Sequence, residues 1–268
     1  MLKLNLRHFV ILFAAFLLIQ ESAAEILRIG DASNGASLRS VNYHALNLGI
    51  TGSHEVSLRR LRPSQAITAL QKHEVDMLVL DKRFLRDVPA GFQVLPYAAE
   101  ALCIYLHPGN MTASLTVPEI KEILTEKHPR WSKYSSMSAD IQRITLKSRH
   151  QDTPLIRRIF GDIVPAAELM EVSTLLQLFA YVNNPAAIGI APFTTAYPEH
   201  VAVLPVNNIP PSTLTVSNGT YPLTLQYVII CPEQRSGILR HFIEAIFAWD
   251  ERRKLPEYGL IPLWEVTK

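Results

Sequence analysis

The chain has few of the residue patterns on which catalytic and metal sites depend. Its nine histidines are scattered, and no two of them have the H-x-x-x-H or H-E-x-x-H spacing of a zinc site. No P-loop sequence is present, and residues 30–35 place Ser33 one position too late for the nucleophile elbow of a hydrolase. The sequence therefore predicts a protein that is not an enzyme, with no catalytic residue, no metal and no cofactor.

The chain also lacks an excess of charge of either sign. Its formal net charge is +2 over 268 residues, and removal of residues 1–24, which carry two positive charges and one negative charge, lowers it to +1. Proteins that bind nucleic acids usually present a concentrated basic face. The near-neutral balance therefore argues against a nucleic-acid partner.

Long apolar runs are missing except at the N-terminus. There, Lys3 and Arg7 precede an apolar run over residues 9–19, and the small residues Ser22 and Ala24 follow it. This order is typical of a secretory signal peptide, and the run is shorter than the ~20 residues that span a bilayer. We expect residues 1–24 to be a signal peptide and the remaining chain to be soluble, in the periplasm or secreted. No cysteine lies near the cleavage site, so a lipid-anchored form is not expected.

Cysteine is scarce as well, with Cys103 and Cys231 the two present. Each lies in or at the end of an apolar, strand-like run. An even number of cysteines in an oxidising compartment permits a disulfide, whereas free cysteine also packs well as a small apolar group. The residues alone leave both alternatives open.

The remaining chain alternates predicted strands with predicted helices, which favours an α/β fold. Apolar strands are predicted over residues 26–29, 75–80, 92–95 and 102–106. Proline-containing breaks near residues 107–112 and 207–222 bracket a central part of the chain. The resulting prediction is a first lobe over 25–106 and 222–268, with a second lobe over 107–221 inserted into it.

The segment from residue 115 to residue 160 carries the most specific pattern. It begins with a predicted helix in which Thr116 can act as N-cap and Pro118 lies in the first turn. A predicted strand over residues 141–147 then leads into a polar turn over 148–153 and a second helix over 154–160. A polar turn that leads from a strand into a helix is a common place for α/β proteins to bind small anions.

This segment resembles the solute-binding proteins of phosphate-type ABC transporters, which belong to the type II periplasmic binding protein superfamily. The turn residues Ser148, Arg149 and Thr153 resemble the Ser/Arg/Thr turn of that family, although Gln151 and Asp152 stand where it has glycines. Residues 184–190, 221–230 and 258–263 resemble three further family motifs in the same order. The helix motif of the family is matched by Leu115, Thr116, Ile120, Ile123, Leu124, Lys127 and Trp131.

The resemblance implies two α/β lobes, each a mixed sheet flanked by helices, with a ligand cleft between them. It implies ligand contacts from the loop after the first strand, from the segment after the third strand and from the turn in the second lobe. The corresponding residues here are Ser33, Asn34, Ser37, Asp81, Arg83, Ser148, Arg149, Asp152 and Thr153. Arg149 is the strongest candidate, because a guanidinium group can bind an oxyanion through two hydrogen bonds. Asp81 could accept a proton from a monoprotonated phosphate.

The function implied by the resemblance is capture of a phosphate-like oxyanion by a monomer that delivers it to an ABC permease. The alternative is a degenerate binding fold that acts as a periplasmic sensor or partner-binding module without transport. Gln151 and Asp152 motivate this alternative, because close approach of the backbone to an anion favours glycine.

The resemblance also bears on the two cysteines. In the family fold, the strands that contain Cys103 and Cys231 belong to the same sheet of the first lobe. If the two residues faced each other on antiparallel neighbours, their Cα atoms would come within the ~4.4–6.8 Å that a disulfide tolerates. A bridge between them is therefore one expectation, beside that of two buried thiols.

Overall fold

The computed structural model describes residues 26–33, 55–147, 154–163, 168–235 and 237–263. Strands and helices alternate through most of this part of the chain, as the α/β prediction requires. The strands are β1 (Ile26–Ala32), β2 (Glu55–Arg60), β3 (Met77–Asp81), β4 (Phe92–Leu106), β5 (Gln142–Leu146), β6 (Met170–Val172), β7 (Ala187–Pro192), β8 (Ala202–Leu204), β9 (Thr224–Pro232) and β10 (Ile261–Pro262). The α-helices are α1 (Pro63–Gln71), α2 (Val117–Thr125), α3 (Leu155–Phe160), α4 (Leu175–Val182), α5 (Thr213–Ser217), α6 (Gly237–Phe247) and α7 (Trp249–Arg252).

The strands form one continuous, curled arrangement with the order β2-β1-β3-β9-β4-β7-β5-β6. In the first half, β1 pairs in parallel with β2 and β3, while β9 runs antiparallel to both β3 and β4. In the second half, β5 pairs in parallel with β6 and β7, and β7 and β8 run antiparallel to β4. Each half is thus a mixed sheet, the two halves share β4, and helices flank both, which confirms the predicted fold class.

Strand β4 connects the two halves. It is 15 residues long, pairs with β9 as far as Ala101 and pairs with β7 from Leu102 onward. The sequence predicted two separate strands here, because the small residues and Glu100 between them break the apolar pattern. That division is wrong, since the intervening alanines are buried and extend the ladder with β9. The lobe boundaries at residues 107 and 222 stay a prediction.

Helix α2 has the N-terminus predicted from its sequence. The Thr116 hydroxyl accepts a hydrogen bond from the backbone N–H of Glu119, and the Glu119 side chain accepts one from the backbone N–H of Thr116. This capping box satisfies two N–H groups that the helix leaves open. The apolar stripe of α2 is buried in the core of the second half.

Trp131 anchors the end of the same motif. Its side chain is fully buried, and its indole N–H donates a hydrogen bond to the Ala186 carbonyl at 2.9 Å. Gly189, on β7, belongs to another of the family-like motifs. A Cβ atom at Gly189 would lie 2.6 Å from a Leu178 methyl carbon on α4, so the close packing of α4 on β7 requires glycine there.

Three apolar cores stabilise the two halves. The largest surrounds β4, β5 and β7 and contains the buried faces of α2 and α4. The other two lie on the sheet of the first half, one against α6 and the other against α1. Among the described residues, no helix is long and apolar enough to cross a membrane. The predicted signal peptide, residues 1–24, lies outside the described residues.

The expected disulfide between Cys103 and Cys231 is wrong. Both cysteines are free and buried, although β4 and β9 are antiparallel neighbours as the resemblance implied. The register separates them, because Cys231 lies opposite Gln93 and Cys103 lies opposite Ala191 on β7. Cys103 lies ten positions beyond Gln93 along β4, which is on the order of 30 Å of strand. Burial raises the pKa of the Cys103 thiol to about 12, as expected of a buried neutral thiol.

Candidate ligand-binding site

The carboxyl ends of β1 and β3 bring two predicted ligand residues together. These parallel strands pair Ala32 with Leu80, so Ser33 and Asp81 follow at neighbouring positions on the same edge. Both are buried, with 1% and 2% of their surfaces exposed. The Ser33 hydroxyl donates a hydrogen bond to the Asp31 carboxylate at 2.5 Å. Asn34 and Ser37, which were predicted to complete this loop, lie outside the described residues.

Asp81 and Arg83 form a closed pair in the turn after β3. The backbone N–H of Arg83 donates to Oδ1 of Asp81. The guanidinium Nε atom donates to both carboxylate oxygens, and Nη2 donates to Oδ2 at 2.6 Å, the shortest contact. These four hydrogen bonds match the roughly four acceptor positions of a carboxylate. The predicted role of Asp81 as an acceptor from a ligand therefore requires Arg83 to move.

Arg83 also links the two halves of the molecule. Its Nη2 atom donates a hydrogen bond at 2.7 Å to the Arg158 carbonyl on α3, which belongs to the second half. The Arg83 side chain remains 44% exposed. It is thus a partly exposed cation at the junction where the strand ends of the first half meet α3.

A buried cluster of three side chains lies beside this junction. Arg158 donates from both terminal nitrogens to the Glu100 carboxylate, at 2.5 and 2.9 Å, and also to the Tyr227 hydroxyl. The Tyr227 hydroxyl in turn donates to Glu100 at 3.0 Å. The Arg158 and Glu100 side chains are only 7% and 10% exposed. Burial, and secondarily the negative charge of Glu100, raises the pKa of Tyr227 well above its ordinary value.

The sequence reasoning missed this cluster. One signal was available, because Glu100 is the lone charged residue in the otherwise apolar run from residue 94 to residue 106. A charge inside a buried strand is almost always paired. No spacing in the sequence, however, indicated that Arg158 rather than its neighbour Arg157 was the partner.

The predicted anion-binding turn lies between two described elements. Strand β5 ends at Leu146 and α3 begins at Leu155, so residues 147–154 connect them, and the predicted turn, residues 148–153, belongs to this connection. The predicted ligand residues Ser148, Arg149, Asp152 and Thr153 lie outside the described residues. Lys147 and Pro154, which flank the turn, both line a large cavity.

This cavity has a volume of about 570 Å³ and is bounded mainly by the second half. Its walls include the carboxyl end of β5, helix α3 and the segment after β7, while residues 256–262 close one side. Glu100 and Arg158 contribute to its lining. The cavity is therefore next to the inter-half cluster and to Lys147 and Pro154, between which the predicted turn lies in the sequence. Among the described residues, no group of three histidine, cysteine, aspartate or glutamate side chains is placed to hold a metal ion.

The family assignment follows from a match over most of the chain. The sequence model of a family described as a PBP superfamily domain matches residues 50–248. The chain belongs to the PBP superfamily, that of the periplasmic binding proteins. The predicted family membership is thereby confirmed, as a divergent member. No curated protein sequence matches the chain significantly.

Solved structures of this superfamily share the fold. An ABC-type phosphate transport receptor from Vibrio cholerae has a TM-score of 0.64 and 16% identity, over 88% of this chain and 99% of the receptor. PstS from Borrelia burgdorferi has a TM-score of 0.66 and 16% identity, over 90% and 99% of the two chains. A possible phosphate binding protein from Planctomyces limnophilus has a TM-score of 0.72 and 14% identity, over 91% and 95%. At such identities the likeness establishes the type II periplasmic binding protein fold.

Proposed function

We propose that the protein is an extracytoplasmic solute-binding protein that captures a phosphate-like oxyanion and presents it to an ABC permease. The observation that carries this proposal is the convergence of the two halves at one place. The carboxyl ends of β1 and β3 meet α3 there through the hydrogen bond from Arg83 to the Arg158 carbonyl. In open α/β sheets, ligands bind outside the carboxyl ends of the strands.

Three features support an anionic ligand. Arg83 supplies a partly exposed guanidinium group at the junction. Lys147 immediately precedes the turn that contains Arg149, the strongest candidate from the sequence. The structures with the same fold include two that are named for phosphate transport or phosphate binding. We propose Ser33, Arg83, Arg149 and Thr153 as the main contacts.

Calorimetry on residues 25–268 tests the proposal with phosphate, sulfate and molybdate as ligands. Arg149→Ala should weaken binding of the preferred oxyanion by roughly tenfold or more, because a hydrogen bond to a charged group contributes ~1.5–3 kcal/mol. The matched control is Arg240→Ala, which removes an exposed arginine on α6 and should leave affinity unchanged. An Arg149→Ala variant with unchanged affinity would remove this residue from the site.

A second candidate function is a sensor or partner-binding module that does not transport a solute. The observation that favours it is the closed Asp81–Arg83 pair, in which the acceptor positions of Asp81 are already occupied. Gln151 and Asp152 in place of glycine point in the same direction. Absence of both heat and thermal shift with all three oxyanions would favour this alternative over solute capture.

A further inference from the structure

The cavity beside the predicted turn is too large for a bare oxyanion. Its volume of about 570 Å³ lies within the ~300–1,000 Å³ that is typical of pockets for organic ligands. A phosphate ion has five non-hydrogen atoms and would leave most of this space unfilled. The two halves already touch through Arg83 and Arg158, so the volume belongs to a cavity that remains when they are in contact.

Much of the cavity wall is apolar. Leu155 lies on α3, Leu175 begins α4 and Phe193 follows β7, and each of these side chains is only partly buried by the protein. Leu102, Leu146 and Leu169 add to the same lining. Burial of apolar side chains that line a pocket is favourable when an apolar ligand group removes them from water.

The charged residues of the cavity suit one anionic group. Lys147 and Arg157 line it, and neither side chain has a hydrogen-bond or ion-pair partner in the described part of the chain. The carboxylate of Glu100 is neutralised by Arg158. Glu171 and Glu257 also line the cavity, so a ligand with a second anionic group would meet repulsion.

From this combination we infer that the ligand is an organic oxyanion, namely a phosphonate or phosphate monoester with an uncharged apolar substituent. Its anionic end lies near Lys147 and Arg157, and the substituent fills the space between Leu155, Leu175 and Phe193. This inference rests on the proposed function, because it specifies the class of solute captured and assigns it to the cavity that adjoins Arg83 through Arg158.

The first experiment compares three probes on the wild-type protein by calorimetry: inorganic phosphate, methylphosphonate and phenylphosphonate. Affinity should rise along this series, with phenylphosphonate at least about tenfold tighter than inorganic phosphate, since burial of one Leu-sized apolar group supplies about that factor. The comparison needs no variant and therefore does not depend on the folding of a mutant.

The second experiment uses two adjacent leucines of α4. Leu175 lines the cavity, whereas Leu176 is 76% exposed. Leu175→Gln should weaken phenylphosphonate binding by about three- to tenfold, and more than it weakens binding of inorganic phosphate, because the phenyl group is the part of the ligand that contacts this wall. Leu176→Gln is the matched control and should change neither affinity.

The outcomes separate this inference from the proposed function. Equal or tighter binding of inorganic phosphate than of phenylphosphonate would overturn the organic-ligand inference and leave oxyanion capture in place. Binding of none of these probes, and of neither sulfate nor molybdate, would overturn both. If phenylphosphonate binds more tightly but Leu175→Gln and Leu176→Gln weaken its binding equally, the organic-ligand inference would also be overturned, because the phenyl group would then lie elsewhere.

Discussion

Replacing Arg158 by methionine should be among the most destabilising single substitutions in the protein. The side chain connects α3 to β4 and β9, where it donates two hydrogen bonds to Glu100 and one to Tyr227. Methionine keeps a long apolar stem but removes the charge. The substitution would leave the Glu100 carboxylate buried, with the Tyr227 hydroxyl as its remaining hydrogen-bond donor among the described residues.

The expected loss is about 3–5 kcal/mol in the free energy of unfolding, which is typical when one member of a buried ion pair is removed. The loss exceeds the net contribution of the pair itself, because most of it is the cost of an uncompensated buried charge. The double variant Glu100→Gln/Arg158→Met removes that charge. It should therefore recover most of the stability that the single variant loses.

Urea denaturation followed by tryptophan fluorescence measures these differences. Arg157→Met is the control, because Arg157 is on the same helix but is exposed, and it should change stability by less than about 0.5 kcal/mol. If Arg158→Met destabilises no more than Arg157→Met, the buried pair does not hold α3 against the first half. A double variant less stable than Arg158→Met would contradict the uncompensated-charge explanation.

Further predictions concern alkaline stability, packing and the thiols. Burial raises the pKa of Tyr221, so the folded state keeps a proton that the unfolded state loses above about pH 10, and the free energy of unfolding should fall as pH rises through that value. Urea titrations at several pH values should show a less steep fall in Tyr221→Phe than in the wild type. The exposed control Tyr181→Phe should behave like the wild type. Gly189→Ala should lower the urea midpoint and cost about 1–3 kcal/mol by overpacking against α4. Alkylation in denaturant without reductant, followed by mass spectrometry, should find label on both Cys103 and Cys231, and a disulfide-linked peptide would contradict the structure. In the native protein at pH 8, Cys103 should react slowly with the same reagent, because its thiol is buried and its pKa is raised.

Local sequence signals predicted a large part of the fold. The N-terminus of α2 was predictable because its signals lie within one helical turn. Thr116 and Glu119 accept hydrogen bonds from backbone N–H groups there, and Pro118 lacks an N–H that would need a partner. Alternation of apolar strands with helices indicated the α/β class for a similar reason, since each element reflects its own periodicity. The order of several short motifs then indicated the superfamily, although each motif by itself is weak.

Part of the candidate site was also predictable. Ser33, Asp81 and Arg83 follow strands whose apolar character is plain in the sequence, and parallel pairing of β1 with β3 brings Ser33 and Asp81 to the same edge. The closed pair between Asp81 and Arg83 was not predicted, because it depends on the conformation of a short turn rather than on residue type.

The sequence by itself determined most of the elements, their class and the superfamily, because those properties arise from residues a few positions apart. The tertiary structure decided the register of β4 against β9 and β7, which separates Cys103 from Cys231 and leaves both as buried thiols. It also decided the pairing of Glu100 with Arg158 and Tyr227, which lie 58 and 127 positions away along the chain. Such contacts depend on how whole strands and helices pack, and no pattern within one element specifies them.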